Sequence, residues 1–379
     1  MSNAQTSTQV DTMAELHAEA TRRCGFTNFG PDDYQHGLRM LIEAMDTAPM
    51  SDLGRTYWRE ELVLALVARA AREAGWQKYP QYKHRKLEKP LIICGIPRTG
   101  TTALHKVLSL DPQFQGLENW LTAWPQPRPP RSEWEQTPGY QYAVDIIRAR
   151  TAQLPEMAAQ HEVLASEVDE CLEILRLDFV TNRFASMTRI PEYDAWFQAQ
   201  DERPFYKRLA DTLRLIGLND DRTWLLKNPG HFVEIEALLT VFPDARVVIT
   251  HRDPVKSLGS LASILSHSWR LFNPDADVKQ LGPRDLAYWS KGKRNMERVR
   301  AKQPKEQFYD VDHSRFHADP IAAVRGIYDH FGLKLTSAVE QAMRDWLAAN
   351  PAGKHGEHRY NLEDFGITPE QVRTELQNG

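Results

Sequence analysis

The feature that most constrains the fold is a set of short apolar runs, each followed at once by a loop and a helical pattern. The runs are Leu91-Ile92-Ile93-Cys94, 223–226 and 246–250, and 308–311 is a further candidate. A short continuous apolar run is typical of a strand buried on both faces of a parallel sheet. Because strand–loop–helix units imply right-handed crossovers, the sequence predicts an α/β fold in which helices flank a parallel β-sheet.

The chain divides into four segments. Residues 1–12 are polar, and we expect a disordered tail. Residues 13–89 have mainly helical periodicity, clearest over 57–75, and predict an N-terminal helical arm. The basic stretch before Pro90 marks a boundary, so 90–366 is the predicted main domain and 367–379 a C-terminal tail.

Two long insertions interrupt the strand–helix pattern. The first, 116–139, is rich in proline and tryptophan, and its rings form either a wall of a substrate pocket or part of the core. The second contains 162–180 and 203–217, which both have a helical pattern. Residues 319–350 predict two more helices, and a loop over 351–366 follows them.

Composition excludes several classes of function. A formal net charge of −4 over 379 residues gives no general attraction to nucleic acid or to an anionic membrane surface. Three widely spaced cysteines without metal-ligand spacing favour free thiols in a reducing compartment. No apolar run approaches the roughly 18–20 residues that span a bilayer, and the polar start lacks a signal pattern. We therefore expect a cytoplasmic protein without a transmembrane segment.

The loop Gly95-Ile96-Pro97-Arg98-Thr99-Gly100-Thr101-Thr102 has the chemistry of a phosphate cradle. Gly100 allows close approach of the backbone, and the first amides of the following helix are unsatisfied at the positive end of its dipole. Thr101 and Thr102 add hydroxyl donors, and Arg98 adds a permanent charge. A plain strand-to-helix turn with a surface arginine is the alternative interpretation.

The nucleoside triphosphate P-loop, G-x-x-x-x-G-K-[ST], is the nearest rival pattern. Gly95 and Gly100 have its spacing, but Thr101 stands where its lysine belongs and the cation is at Arg98. Because that lysine normally reaches the β- and γ-phosphates, its absence argues against an ATPase or a kinase.

Basic residues also follow the other two strands. Arg252 comes directly after the third strand, where a guanidinium can bind a phosphate through two hydrogen bonds, and Ser260 lies about two helical turns further on. Lys227 ends the second strand and begins Lys227-Asn228-Pro229-Gly230. A surface arginine, a helix serine and a solvated loop lysine are the alternatives that the residues themselves leave open.

Together these motifs resemble those of the sulfotransferases that use 3'-phosphoadenosine 5'-phosphosulfate (PAPS), in their bacterial branch. That resemblance covers about residues 90–366 and implies the P-loop-NTPase-like sulfotransferase fold, with an N-terminal helical arm. It assigns the 5'-phosphosulfate loop to Arg98, Thr99, Gly100, Thr101 and Thr102.

The same resemblance supplies further roles. It assigns the 3'-phosphate to Arg252 and Ser260, and it places Lys227 near the transferred group. The segment with His358, Arg359 and Tyr360 resembles a closing segment of bacterial sulfotransferases and implies a loop over the 3'-phosphate; a charged tail loop is the alternative.

A carboxylate or a histidine must accept the proton of the substrate that is sulfated. Glu118 is the first candidate, because the tyrosylprotein sulfotransferases have their base about as far downstream of the phosphate loop. Glu170 is the second candidate, since Glu170-Cys171 resembles a recurrent pair in the family. His105, His161 and His231 are further candidates, and an ordinary surface or capping role is the alternative for each.

The resemblance therefore implies a transferase that moves a sulfuryl group from PAPS to a hydroxyl or amine and releases 3',5'-ADP without a metal ion. The expected acceptor is a small molecule, a lipid or a glycan, and nucleic acid is not an expected partner. The helical arm could mediate homo-oligomer formation. Two alternatives remain: a catalytically weakened protein that binds the nucleotide, and a P-loop kinase-like phosphoryl transferase.

Overall fold

A five-stranded parallel sheet forms the centre of the described residues. A computed structural model describes residues 11–155, 163–351 and 360–376. The strands are β1 (Leu91–Cys94), β2 (Phe114–Gln115), β3 (Thr223–Lys227), β4 (Arg246–His251) and β5 (Phe308–Asp312). Their order across the sheet is β2-β3-β1-β4-β5, and every pair is parallel. The predicted α/β fold is confirmed, and the four expected strands lie where their apolar runs placed them.

Helices precede, separate and follow these strands. In the first half of the chain they are α1 (Met13–Cys24), α2 (Gln35–Thr47), α3 (Asp52–Lys78), α4 (Thr101–Leu108), α5 (Asn119–Ala123), α6 (Pro138–Gln153), α7 (Leu172–Leu175), α8 (Asn182–Met187) and α9 (Pro191–Phe197). In the second half they are α10 (Arg203–Ile216), α11 (Ile235–Val241), α12 (Pro254–Phe272), α13 (Leu281–Arg300), α14 (His313–Ala318), α15 (Pro320–Phe331), α16 (Ser337–Ala349) and α17 (Pro369–Leu376). No described helix is long and apolar enough to cross a membrane.

The two faces of the sheet carry different helical layers. Alternate residues of β1 point to opposite faces, as strand geometry requires. Leu91 and Ile93 pack with α4, α15 and α16, whereas Ile92 and Cys94 join the larger core, which also contains α1–α3 and α10–α13. All of β1 is buried, which explains why its sequence is continuously apolar instead of alternating.

The N-terminal helices are fastened to this core by buried charges as well as by apolar contacts. Arg69 and Arg72 of α3 have fully buried side chains, and both donate hydrogen bonds to the buried carboxylate of Asp178. Tyr57 of the same helix stacks on Phe272 of α12, with ring centroids 4.7 Å apart. Removing one member of such a buried ion pair is strongly destabilising, because it leaves an uncompensated charge.

The helical pattern of the second insertion is confirmed in one part and wrong in the other. The expected helix over 203–217 is α10, but within 163–180 the only α-helix is α7, followed by a 3-10 turn at Arg176–Asp178. Residues 165–167 form a turn and a bend, and Val168 forms an isolated antiparallel bridge with Glu118 of the first insertion. The amides of Asn119 and Trp120 donate to the carbonyls of Glu167 and Ala165, at 2.8 and 3.0 Å.

Two short elements were not expected from the sequence. The edge strand β2 has only two residues, too few for a detectable apolar pattern. The segment from residue 367, set apart as a tail, contains α17, which buries Val372 and Leu376.

Candidate active site

The loop between β1 and α4 has a backbone that brings its amides to the carboxyl edge of the sheet. Gly95, Arg98 and Gly100 have φ angles of 148°, 70° and 92°. A Cβ on Gly95 would lie 2.6 Å from the carbonyl oxygen of Thr250, so only glycine fits against the end of β4. A left-handed backbone conformation is costly for a residue other than glycine, and such conformations cluster at functional sites. The conformation of Arg98 is therefore consistent with a functional loop.

The two arginines that the motifs singled out lie side by side. Nη1 of Arg252, just after β4, donates to the carbonyl oxygen of Arg98 at 3.0 Å. Nε of Arg98 donates to Oγ of Ser260 on α12 at 3.2 Å. Although Arg98 as a whole is exposed, desolvation of its guanidinium and then the charge of Arg252 lower the pKa of Arg98. The site therefore concentrates positive charge at the ends of adjacent strands.

The threonines of the loop have different surroundings. Thr99 is buried, and its Oγ1 donates to the carbonyl of Ile96 at 2.7 Å and lies 2.5 Å from Oγ1 of Thr250. Thr99 thus braces the loop against β4. Oγ1 of Thr102, on the first turn of α4, accepts a hydrogen bond from Lys227 Nζ at 3.2 Å.

Lys227 connects this loop to the second insertion. The residue ends β3, where it pairs with Ile93 of β1, and its side chain is only 3% exposed. Its ammonium forms a close ion pair with Glu170, whose side chain is 28% exposed. Lys227 therefore links a partly solvent-accessible carboxylate, that of Glu170, to the hydroxyl of Thr102.

Backbone hydrogen bonds hold Glu170 in this position. The amide of Cys171 donates to the carbonyl of Lys227 at 2.9 Å, and the amide of Asp169 donates to the carbonyl of Leu117 at 2.7 Å. Oδ1 of Asp169 also accepts the amide of Glu170 at 2.7 Å. Residues on both sides of Glu170 are thus tied to other elements.

Glu118 has a different environment. Its Oε2 accepts from Nε and Nη2 of Arg128, at 3.1 and 2.9 Å. Arg128 also pairs with Asp220 at 2.8 Å, so the three side chains form a buried ionic group. Burial raises the pKa of Glu118, against the opposing charge of Arg128. Its hydrogen bonds join it to Arg128, and no hydrogen bond within the described residues joins it to Lys227 or the phosphate loop.

Two of the three candidate histidines lie in the interior of the protein. His105 and His231 are buried, and desolvation lowers the pKa of each to about 3. His231 also lies 2.7 Å from the hydroxyl of Tyr206. These imidazoles are therefore neutral parts of the interior. His161 lies outside the described residues.

His313 lies near the phosphate loop but was not among the site residues predicted from the sequence. Cδ2 of His313 lies 3.4 Å from the place that a Cβ on Gly100 would occupy. Burial, followed by the charge of Arg252, lowers the pKa of His313 to about 4. Its position directly after β5 was the available signal, because the ends of parallel strands meet at one edge of a sheet.

Tyr360 also belongs to this edge, whereas His358 and Arg359 lie outside the described residues. The Tyr360 hydroxyl donates to the carbonyl of Lys256 at 2.8 Å. A Cβ on Gly259 would lie 2.1 Å from Cε2 of Tyr360, so the ring rests directly on the backbone of α12 next to Ser260.

The tryptophans of the first insertion are mostly core. Trp120 is fully buried and Trp134 is 7% exposed, and their rings pack 5.7 Å apart. Trp124 is half-buried against Tyr142, at 5.4 Å. Of the two interpretations of this stretch, the structure favours the core for Trp120 and Trp134.

Comparisons with known proteins agree on one family. A sequence-family model for the sulfotransferase family matches residues 90–337. The relative named omega-hydroxy-beta-dihydromenaquinone-9 sulfotransferase Stf3, from Mycobacterium tuberculosis, is 24% identical over 290 residues, which cover 75% of this chain and 73% of the relative.

Two solved structures resemble the chain over almost its whole length. Sulfotransferase STF1 from Mycobacterium tuberculosis H37Rv has a TM-score of 0.86 and 36% identity, with 98% of this chain and 100% of that one covered. Sulfotransferase STF9 from Mycobacterium avium has a TM-score of 0.89 and 27% identity, with 100% and 97% covered.

Proposed function

The chain belongs to the sulfotransferase family, and on that premise we propose that it transfers a sulfuryl group from PAPS to a hydroxyl or amine of its acceptor. The observation that carries this proposal is the contact between the two phosphate motifs. Arg252 donates to the backbone of Arg98, and Arg98 donates to Ser260. One ligand with two separated phosphates accounts for two basic groups at neighbouring strand ends.

The chain's own groups fit such a donor. Gly100 and the open amides at the start of α4 suit the 5'-phosphosulfate, and Arg252 and Ser260 suit the 3'-phosphate. His313 and Tyr360 flank these two positions and are further candidates for contact with the nucleotide. When bound, PAPS supplies the sulfuryl group and a phosphate leaving group.

Sulfuryl transfer builds negative charge on the departing 5'-phosphate oxygen. Lys227, Arg98 and the helix start can stabilise that charge electrostatically in a partly desolvated site. As the acceptor oxygen or nitrogen bonds to sulfur and the sulfur–phosphate oxygen bond breaks, the acceptor's proton must move to a base.

We assign the base to Glu170 in preference to Glu118. Glu170 is partly exposed and touches Lys227, which in turn touches Thr102 of the phosphate loop. Glu118 is engaged by Arg128 in a buried pair. In the free protein, Lys227 holds the Glu170 carboxylate beside the phosphate loop, where we expect the acceptor to bind.

An apolar hydroxyl compound is the acceptor class that we favour. Stf3 is named as acting on a hydroxylated dihydromenaquinone, which is a lipid. In this chain Val163 and Leu164 are the large hydrophobic side chains that stand out as exposed among the described residues, at 42% and 47%. They lie seven and six residues before Glu170, respectively, where the apolar part of an acceptor could cover them.

Ligand binding tests the donor. In thermal unfolding at equal ligand concentrations, 3',5'-ADP should stabilise the protein far more than ATP with Mg²⁺, because stabilisation grows with the ratio of ligand concentration to Kd. Arg252→Ala should remove that stabilisation. Arg131→Ala, which changes an exposed arginine that pairs with Glu135 and lies over the ring of Trp134, is the matched control. Stronger stabilisation by ATP with Mg²⁺ would favour a kinase-like function.

Turnover tests the transfer itself. With sulfur-35-labelled PAPS and a panel of hydroxylated lipids, phenols and amines, label should pass to at least one acceptor class, and alkyl alcohols of increasing length should show a falling KM. Binding of 3',5'-ADP without transfer to any acceptor would favour the alternative of a nucleotide-binding protein.

A further inference from the structure

A partly exposed ion pair lies one helical turn along α4 from the phosphate loop. Lys106 Nζ donates to Oε2 of Glu167 at 3.0 Å, and the two side chains are 29% and 36% exposed. Lys106 follows Thr102 by four residues, and residues at this spacing lie on the same face of a helix. Because Thr102 accepts from Lys227, which pairs with Glu170, two neighbouring ion pairs lie between α4 and the second insertion.

Backbone hydrogen bonds fix the direction from which Glu167 reaches Lys106. The carbonyl of Glu167 accepts from the Asn119 amide at 2.8 Å, and the Glu167 amide donates to the carbonyl of Leu164 at 3.1 Å. The second bond closes a turn over residues 164–167, so Leu164 lies beside Glu167. Outward from Glu170, this segment therefore presents first a charged pair and then an exposed apolar surface.

The exposed face of α4 runs along the same line. Ala103 is exposed and Lys106 is partly exposed, whereas residues 104–105 between them are buried. An acceptor whose reacting oxygen lies beside Glu170 can therefore extend along α4 and pass over the pair of Lys106 and Glu167.

The ion pair of Lys106 and Glu167 contributes little to folding and can bind a ligand without separating. Exposed ion pairs are weak because water screens them and because ordering two long side chains costs entropy. The ammonium carries three N–H donors, and the carboxylate has two oxygens that each accept more than one hydrogen bond. A ligand group can therefore contact both side chains while they remain paired.

The two charges decide which ligand group fits. A carboxylate or a phosphate would be attracted by Lys106 but repelled by Glu167, and an ammonium would meet the opposite arrangement. A neutral group that both donates and accepts, such as a hydroxyl or an amide, satisfies both side chains at once. Because Cβ atoms four residues apart on a helix are about 5–6 Å apart, this group should lie about that far from the sulfated oxygen.

We propose that Lys106 and Glu167 are specificity-determining residues that select acceptors with a second hydroxyl or amide one helical turn from the sulfated hydroxyl. The inference rests on the proposed sulfuryl transfer, with Glu170 as the base. The second polar group hydrogen-bonds to the ion pair, and an apolar tail beyond it covers Val163 and Leu164. The favoured acceptor is thus an amphiphilic diol or hydroxyamide instead of a simple long-chain alcohol.

Binding of three related alcohols tests this preference without any transfer. In calorimetry with saturating 3',5'-ADP, octane-1,4-diol should bind about three- to tenfold more tightly than octan-1-ol, which is the effect of one added hydrogen bond. Octane-1,7-diol should bind more weakly than octane-1,4-diol, because its second hydroxyl would lie at Val163 and Leu164. Equal affinities of the two diols would overturn the proposal.

Matched variants assign the preference to the ion pair. Lys106→Met and Glu167→Met keep a long side chain without its charge, and each should reduce the advantage of octane-1,4-diol over octan-1-ol to less than about twofold. Arg325→Met is the control, because it breaks a 2.7 Å ion pair with Glu340 between α15 and α16 and should leave the full advantage. An advantage that is unchanged in both Lys106→Met and Glu167→Met would refute the assignment.

Turnover separates failure of this inference from failure of the proposed function. With labelled PAPS, kcat/KM for the three alcohols should follow their affinities, and the differences should lie mainly in KM because the pair does not touch the reacting atoms. Transfer to all three with equal kcat/KM would overturn the selection but support the transferase. If none is sulfated although octane-1,4-diol binds selectively, the selection is supported and the transfer is contradicted.

Discussion

Two glutamine substitutions should separate the two candidate carboxylates. Glu170→Gln removes the proposed base but retains an oxygen that can accept from Lys227. Glu118→Gln removes the charge that faces Arg128 in a buried pair. The two changes are identical in chemistry, so any difference between them reflects the site. We expect Glu170→Gln to lose activity and Glu118→Gln to lose stability.

The magnitudes follow from burial and partners. Removing one partner of a buried ion pair costs roughly 3–5 kcal/mol, and because Asp220 still faces Arg128, we expect about 2–3 kcal/mol for Glu118→Gln. At Glu170 the carboxylate is 28% exposed and glutamine keeps a hydrogen bond, but Lys227, which is 3% exposed, loses its counter-charge, so the cost should be about 1–2 kcal/mol. Loss of a general base should lower kcat by about 10²–10⁴-fold.

Urea unfolding and single-turnover transfer from labelled PAPS measure these effects on the same preparations. Binding of 3',5'-ADP should stay within a few-fold of wild type in both variants, since neither side chain contacts the phosphate motifs. If Glu118→Gln instead folds with wild-type stability and loses transfer, while Glu170→Gln keeps it, the assignment of the base is reversed.

Three other perturbations have defined outcomes. Arg252→Ala should weaken 3',5'-ADP by about 10–100-fold but 5'-AMP much less in calorimetry, because only the first ligand carries a 3'-phosphate. Gly259→Ala forces Tyr360 off α12 and breaks its 2.8 Å hydrogen bond, so 3',5'-ADP should bind up to about tenfold more weakly. Asp169→Asn should become more stable than wild type as pH rises from about 4 to 6, by up to about 3 kcal/mol, since the pKa of Asp169 is raised to about 6 when folded and the unfolded carboxyl releases its proton first. Equal urea midpoints for Asp169→Asn and wild type at pH 4 and pH 7 would contradict this last result.

The half of the candidate site that we propose for the sulfuryl donor could be predicted from local sequence. Leu91-Ile92-Ile93-Cys94 is continuously apolar because both faces of β1 are covered, and the next six residues form the loop. Parallel strands then bring Arg98 and Arg252 to one edge without any information about side-chain packing. His313 could have been found by extending the same reasoning to the end of β5.

The base could not be predicted in this way. Our proposal disfavours Glu118 because it pairs with Arg128, ten residues later, and nothing in the spacing shows that their side chains meet. Glu170 is favoured by Lys227, fifty-seven residues later along the chain. The expected helix over 162–180 was wrong for a related reason: pairing with residues 117–120 overrides a local helical pattern.

The two halves of the proposed site are therefore held by different interactions, and we expect mutations to affect them differently. The donor half rests on strand ends and one short loop, whose conformation is set by glycines and backbone hydrogen bonds. The base half rests on an insertion that is held by buried ion pairs among distant side chains, including Arg128 with Glu118 and Arg183 with Glu173. Because breaking any one of these pairs leaves a buried charge, most damage to the insertions should reduce transfer before it reduces nucleotide binding.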